Sequence, residues 1–146
     1  MKKIINEIKV RLLAKSENAG VCRGIISEFV STLTPTVEEL GDIRLSVDEA
    51  VTNCIVHAYK DNEDKNSCYI YISARLYDTR EISIEISDNG CGIADIDTAF
   101  KAGYTTGEPN VRSGMGFTII NTFMDYLKIK SKLDKGTTVL MKKFLA

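Results

Sequence analysis

From Thr36 to about Tyr59 the chain carries one long helical pattern, and a helix with a single apolar face needs a second layer to cover it. Val37, Leu40, Val47, Val51, Ile55 and Ala58 recur at helical spacing. Thr36, with Glu39 three residues on, reads as a capping box after the break at Thr34-Pro35. Strands supply the second layer. Segments 68–77 and 81–87 are joined by Asp78-Thr79-Arg80, short enough for a hairpin, and Tyr69, Tyr71, Ile82, Ile84 and Ile86 suit a pleated sheet. Segments 126–131 and 137–144 flank a second turn signal, Asp134-Lys135-Gly136. Residues 8–12 alternate apolar and charged, as a half-buried strand does.

Two further helices are expected. One runs from about Ser16 to Ser31, with Val21, Ile25, Phe29 and Val30 inward and Ser16 or Asn18 as its cap. The other runs from about Gly114 to Met124. Residues 88–113 carry glycines and polar turn residues in place of a sustained period, and read as loops with a short helix near 95–100. Strands joined by short turns are antiparallel, and helices gathered on one face of them give a two-layer α+β sandwich.

The 146 residues suit one domain, 1–146. With 44% hydrophobic and 27% charged residues, such a chain needs neither disulfide nor metal to fold. Lys plus Arg is 19 and Asp plus Glu is 20, a balance that argues against direct nucleic-acid binding. Cys22, Cys54, Cys68 and Cys91 show no CxxC spacing and are expected as reduced structural thiols. No apolar run approaches the ~18–20 residues that span a bilayer, so no membrane association and a cytoplasmic location are expected.

Glu49, Asn53 and His57 lie at i, i+4 and i+8 on the long helix and so share one face. Such a stripe can be a solvated face. It can also divide the work of phosphoryl transfer, with Asn offering a carbonyl to a hard cation such as Mg²⁺ and Glu taking a proton from the attacking hydroxyl. Asp88-Asn89-Gly90-Cys91-Gly92-Ile93 follows a strand directly. It is either an ordinary surface turn or a purine pocket, in which the carboxylate accepts from an exocyclic amine and the glycines let backbone come close. Arg112-Ser113-Gly114-Met115-Gly116-Phe117 opens a helix and can cradle phosphate on its unpaired N–H groups, or be no more than a glycine cap. It is neither a Walker loop nor a Rossmann fingerprint. Gly136-Thr137-Thr138 heads the last strand, where Thr137 could support the purine pocket or merely follow a turn.

In order and spacing, Glu49-x-x-x-Asn53, Asp88-x-Gly90-x-Gly92, Gly114-x-Gly116 and Gly136-Thr137 resemble the four boxes of the GHKL ATPase superfamily, to which gyrase and the sensor histidine kinases belong. Glu49-Ala50-Val51-Thr52-Asn53 with His57-Ala58-Tyr59, and the run Arg112 to Ile120, narrow the likeness to its branch of sporulation and stress-response anti-sigma factors, over about Glu7 to Phe144. The resemblance implies a Bergerat fold on a mixed, mostly antiparallel sheet, and ATP or ADP with Mg²⁺ as cofactors. It gives Glu49 the role of general base, Asn53 that of Mg²⁺ ligand, and Asp88 the adenine amine. Gly90 and Gly92 would shape the adenine pocket, with Thr137 beside it. Gly114, Met115 and Gly116 would wrap the phosphates under a lid formed by residues 100–113. Arg112 would contact phosphate or partner.

It also implies a homodimer that binds and inhibits a sigma factor and phosphorylates a serine on an anti-anti-sigma protein. Arg23 matches a basic position for partner contact, or is a solvated helix residue. His57 is expected as a wall or phosphate-side residue of the site rather than a phosphoacceptor, because a sensor kinase carries that histidine on a separate helix.

Overall fold

The computed structural model of the chain describes residues 1–96 and 116–146. Outside these lie Arg112, Gly114 and Met115, the lid expected over 100–113 and most of the short helix expected near 95–100. Strands β1 (Ile4–Leu13), β2 (Tyr69–Tyr77), β3 (Glu81–Ser87), β4 (Tyr126–Lys132) and β5 (Gly136–Phe144) form one sheet in the order β1-β2-β3-β5-β4. Each pairing is antiparallel, so among the described residues the sheet has no parallel pair.

Side chains alternate across the pleat. Ile70, Ile72, Ala74 and Leu76 of β2 and Ile82, Ile84 and Ile86 of β3 are buried, and with Val139 and Met141 of β5 they join the helical layer in one core. That layer consists of α1 (Asn18–Val30), α2 (Val37–Asn53) and α3 (Gly116–Phe123), with α2 packed on both of the others. No helix among the described residues is long and apolar enough to cross a membrane. All four cysteines are free thiols, as expected.

The capping box forms as read: Thr36 Oγ1 accepts from the Glu39 N–H at 3.0 Å, and Glu39 Oε1 accepts from the Thr36 N–H at 2.8 Å. Val37, placed on the apolar face by sequence, is 91% exposed. It sits in the first turn, ahead of the sheet, and burial starts a turn and a half later with Ile43.

On α1 neither expected cap forms. Glu17 holds the N-cap position without a side-chain hydrogen bond, and Asn18 Nδ2 donates instead to the Leu13 carbonyl at 2.8 Å. The buried line of α1 is Cys22, Ile26 and Val30, while Val21 is 46% exposed. Two neighbouring rows on this helix are apolar, and the core takes the one containing the cysteine.

The α-helical bonding of α2 does not reach Tyr59. At Cys54 it changes to a π-helical turn, Cys54–Ala58. Turns of this kind insert an extra residue per turn and occur often at functional sites.

Candidate functional site

The polar face of α2 meets the start of α3. Glu49, an acidic residue, is 2% exposed, and Asn53 one turn on is half-buried. Gly116 opens α3 against both. A Cβ on Gly116 would lie 3.0 Å from Glu49 Oε2 and 3.4 Å from Asn53 Nδ2. A side chain here would oblige the Glu49 carboxylate to give way by a few tenths of an ångström. The face of α2 that carries the carboxylate and the amide is therefore packed against the first residue of α3.

Asp88 is placed by strand register. β3 pairs with β5 up to Ser87 opposite Thr138. One residue on, the Asp88 N–H donates to the Thr137 carbonyl at 3.0 Å. The Asp88 side chain, 8% exposed, turns back: Oδ1 accepts from the Gly90 N–H at 2.9 Å and the Thr137 N–H at 3.3 Å, and Cys54 Sγ donates to Oδ2 at 3.6 Å. Burial pushes this carboxyl up from its ordinary value, and the three donors pull it back in part. Burial, reinforced by the Asp88 charge, also holds the Cys54 thiol well above its usual range, so it stays protonated and able to donate.

The glycines around Asp88 answer to the protein's own backbone. Gly136 has φ +102°, and a Cβ there would stand 2.0 Å from the Asp88 carbonyl oxygen. At Gly90 a Cβ would meet the Ala58 carbonyl oxygen at 2.2 Å, and at Gly92 that of Lys132 at 2.2 Å. The Asp88 turn is thus clamped between the π-helical turn and the β4–β5 hairpin. The Cys91 N–H donates to the Ala58 carbonyl at 2.8 Å, and the Asp134 N–H to the Cys91 carbonyl at 2.9 Å.

Several residues that hold the site carry no sequence signature. The Tyr59 hydroxyl accepts from the Asn89 N–H at 2.8 Å and donates to the Tyr69 carbonyl at 2.7 Å, tying the turn to β2. Burial pushes this hydroxyl up to about 12. Ser131 Oγ accepts from the Ile93 N–H at 2.7 Å and lies 2.8 Å from Thr137 Oγ1. The hairpin register that pairs Ser131 with Thr137 was readable from the turn at 134–136, and would have exposed this contact.

Arg23 stands apart from the cluster. Its Nη1 donates to Asp48 Oδ1 at 2.8 Å, joining α1 to α2, with the Arg23 side chain 37% exposed. His57 lies in the π-helical turn, and its carbonyl accepts from Cys91 Sγ at 3.5 Å.

A helix bearing buried Glu and half-buried Asn, a clamped Asp turn and a second glycine-led helix, all on one side of an antiparallel sheet, define a class of domain. The family described as the histidine kinase-like ATPase domain matches residues 12–143. Over 138 residues the chain is 46% identical to an anti-sigma F factor of Clostridium perfringens, covering 94% of this chain and 96% of that protein. An anti-sigma F factor of Clostridium acetobutylicum is 40% identical over 141 residues, 97% of this chain and 95% of its own length. The chain belongs to the anti-sigma F factor family of histidine kinase-like ATPase domains.

Solved structures agree on the fold. A Mycobacterium tuberculosis protein with RsbU and RsbW domains superposes with a TM-score of 0.69 at 17% identity, over 96% of this chain and 32% of that one. The histidine kinase domain of a blue-light-activated kinase from Erythrobacter litoralis gives 0.59 at 19%, over 87% of this chain and 61% of that one.

Proposed function

We propose that the chain is an anti-sigma factor that binds adenine nucleotide and phosphorylates a serine on an antagonist protein. The observation that carries this reading is the convergence of Glu49 and Asn53 on Gly116, with the buried Asp88 carboxylate bonded to Cys54, the residue that follows Asn53. Phosphoryl transfer asks chiefly for positioning and charge stabilisation, and a site with fixed ends supplies the first.

In this reading Asp88 accepts the exocyclic amine of adenine, with Thr137 beside it. The phosphates extend toward the start of α3, where Gly114, Met115 and Gly116 meet them and Arg112 adds charge. Asn53 fits Mg²⁺ through its amide oxygen. Among the described residues no three His, Cys, Asp or Glu side chains gather to hold a metal, so phosphate and water would complete the shell. Glu49 orients the serine hydroxyl and takes its proton.

The family supports a sigma factor as the inhibited partner, an anti-anti-sigma protein as the serine substrate and a homodimer as the working form, with Arg23 near the partner surface. Nucleotide state would then select the complex through differential affinity.

The deciding experiment incubates the purified protein with Mg²⁺, labelled ATP and the anti-anti-sigma protein of its own organism. Label on a serine of that protein supports the reading. Tight ATP and sigma binding without transfer would leave a nucleotide-dependent antagonist with no kinase activity. Failure to bind either ATP or ADP would overturn the proposal.

A further inference from the structure

The π-helical turn Cys54–Ala58 and the residue after it hydrogen-bond to three of the four residues from Asp88 to Cys91, and Ala58 closes on the fourth, Gly90. Cys54 reaches Asp88, the Ala58 carbonyl takes the N–H of Cys91, and the Tyr59 hydroxyl takes the N–H of Asn89. The last two fix backbone. Only the first acts on a side chain that the proposed chemistry uses. Both partners are buried, Cys54 at 3% and Asp88 at 8% exposed.

The two carboxylate oxygens are held differently. Oδ1 takes two backbone N–H groups, from Gly90 and Thr137. Oδ2 takes the Cys54 thiol, at 3.6 Å. A carboxylate anchored at one oxygen can still swing, because the torsion that turns it is broad. A donor on the second oxygen removes that freedom and leaves one direction for a ligand's N–H.

We infer that Cys54 is a positioning residue for base selection: its S–H fixes Oδ2 of Asp88, and so sets the preference for a purine that carries an amine at position 6. This rests on Asp88 as the group that meets the base. Cys54 itself need not touch the nucleotide.

The competing role is that of a small apolar filler in the core, and the two differ in what they predict. Binding of ADP and of inosine diphosphate, which has an oxygen in place of the amine, is measured by calorimetry for wild type, Cys54→Ala, Cys54→Val and Cys54→Ser. Wild type should prefer ADP. Loss of the donor in Cys54→Ala should weaken ADP about five- to tenfold, the worth of one modest hydrogen bond, and leave inosine diphosphate unchanged within about twofold. Cys54→Val fills the space without a donor and should behave the same way, which covers the case that the alanine variant folds poorly. Cys54→Ser restores a donor and should recover most of the preference.

An equal loss for both nucleotides, or an unchanged ratio in the Ala and Val variants, overturns the role of Cys54 and leaves Asp88 as the base-reading group. A wild type that does not distinguish the two nucleotides overturns the reading of Asp88, and the role of Cys54 with it.

Discussion

Glu49 Oε2 lies 3.0 Å from the point where Gly116 would carry a Cβ. The carboxylate is buried and cannot retreat into water. Gly116→Ala should therefore displace Glu49 rather than unfold the domain, because the neighbour that must give way is the end of a flexible side chain and not backbone. We expect a melting temperature within a few degrees of wild type and phosphotransfer reduced about tenfold or more. A variant with unimpaired transfer would show that Glu49 has room to move without consequence.

Glu49→Gln keeps the shape and removes the proposed base. Transfer to the serine should fall by roughly 10²–10⁴, while ADP affinity changes little. Single-turnover transfer and equilibrium binding, measured on the same preparation, separate the two effects. Retention of wild-type transfer would remove Glu49 from the chemistry.

Gly136→Ala meets two obstacles together, a φ of +102° and backbone 2.0 Å from the new Cβ. The neighbour is the Asp88 carbonyl, which cannot rotate away as a side chain would. Destabilisation of at least about 2–3 kcal/mol is expected in urea unfolding. ADP affinity should fall with it, since the same backbone carries Asp88.

Asp88→Asn tests the cost of the buried charge. The folded-state pKa of Asp88 is raised, so its ionisation destabilises the native state above that pKa, and the penalty disappears below its ordinary value. The variant should lose nucleotide binding. Its stability relative to wild type should be greatest at neutral pH and decline as pH falls through the raised pKa. Denaturation midpoints of the two nucleotide-free proteins across that range check the sign, and a stability difference that grows with acid would contradict it.

Lys143 links three elements. Its Nζ lies 3.0 Å from Asp42 Oδ2 on α2, donates to the Phe123 carbonyl at 2.6 Å, and belongs to β5. The pair is largely shielded, with side chains 12% and 21% exposed. Lys143→Met leaves Asp42 without this partner and should cost about 1–3 kcal/mol, with weak dependence on salt. A loss that vanishes in high salt would mark the pair as a surface contact.

Which parts of the molecule the sequence discloses follows from how local their causes are. The Thr36–Glu39 box is four residues long, and it forms as read. The hairpin turns carry their own signals, so β2 to β5 fall close to their expected bounds. On α1 the competing rows Val21–Ile25–Phe29 and Cys22–Ile26–Val30 look alike from inside the helix, and only the sheet decides between them. The change to π bonding at Cys54 has no residue signature. The candidate site residues are legible as motifs, because the spacing of Glu49 from Asn53 and of Asp88 from its glycines is local. Their supports were not, since Cys54, Tyr59 and Ser131 take their roles from backbone that is remote in sequence.

The register of β3 on β5 places Ser87 opposite Thr138, with β4 and α3 between them along the chain. Closing so long a loop is slow in folding, because its entropy is lost before the contacts are gained. The Asp88–Thr137 bonds exist only once that closure is complete, so a partly folded chain with α2 and the β2–β3 hairpin already in place would lack the proposed base-reading group in its final position. If Asp88 reads the base as proposed, the first appearance of nucleotide affinity during refolding times the zipping of β5 onto β3.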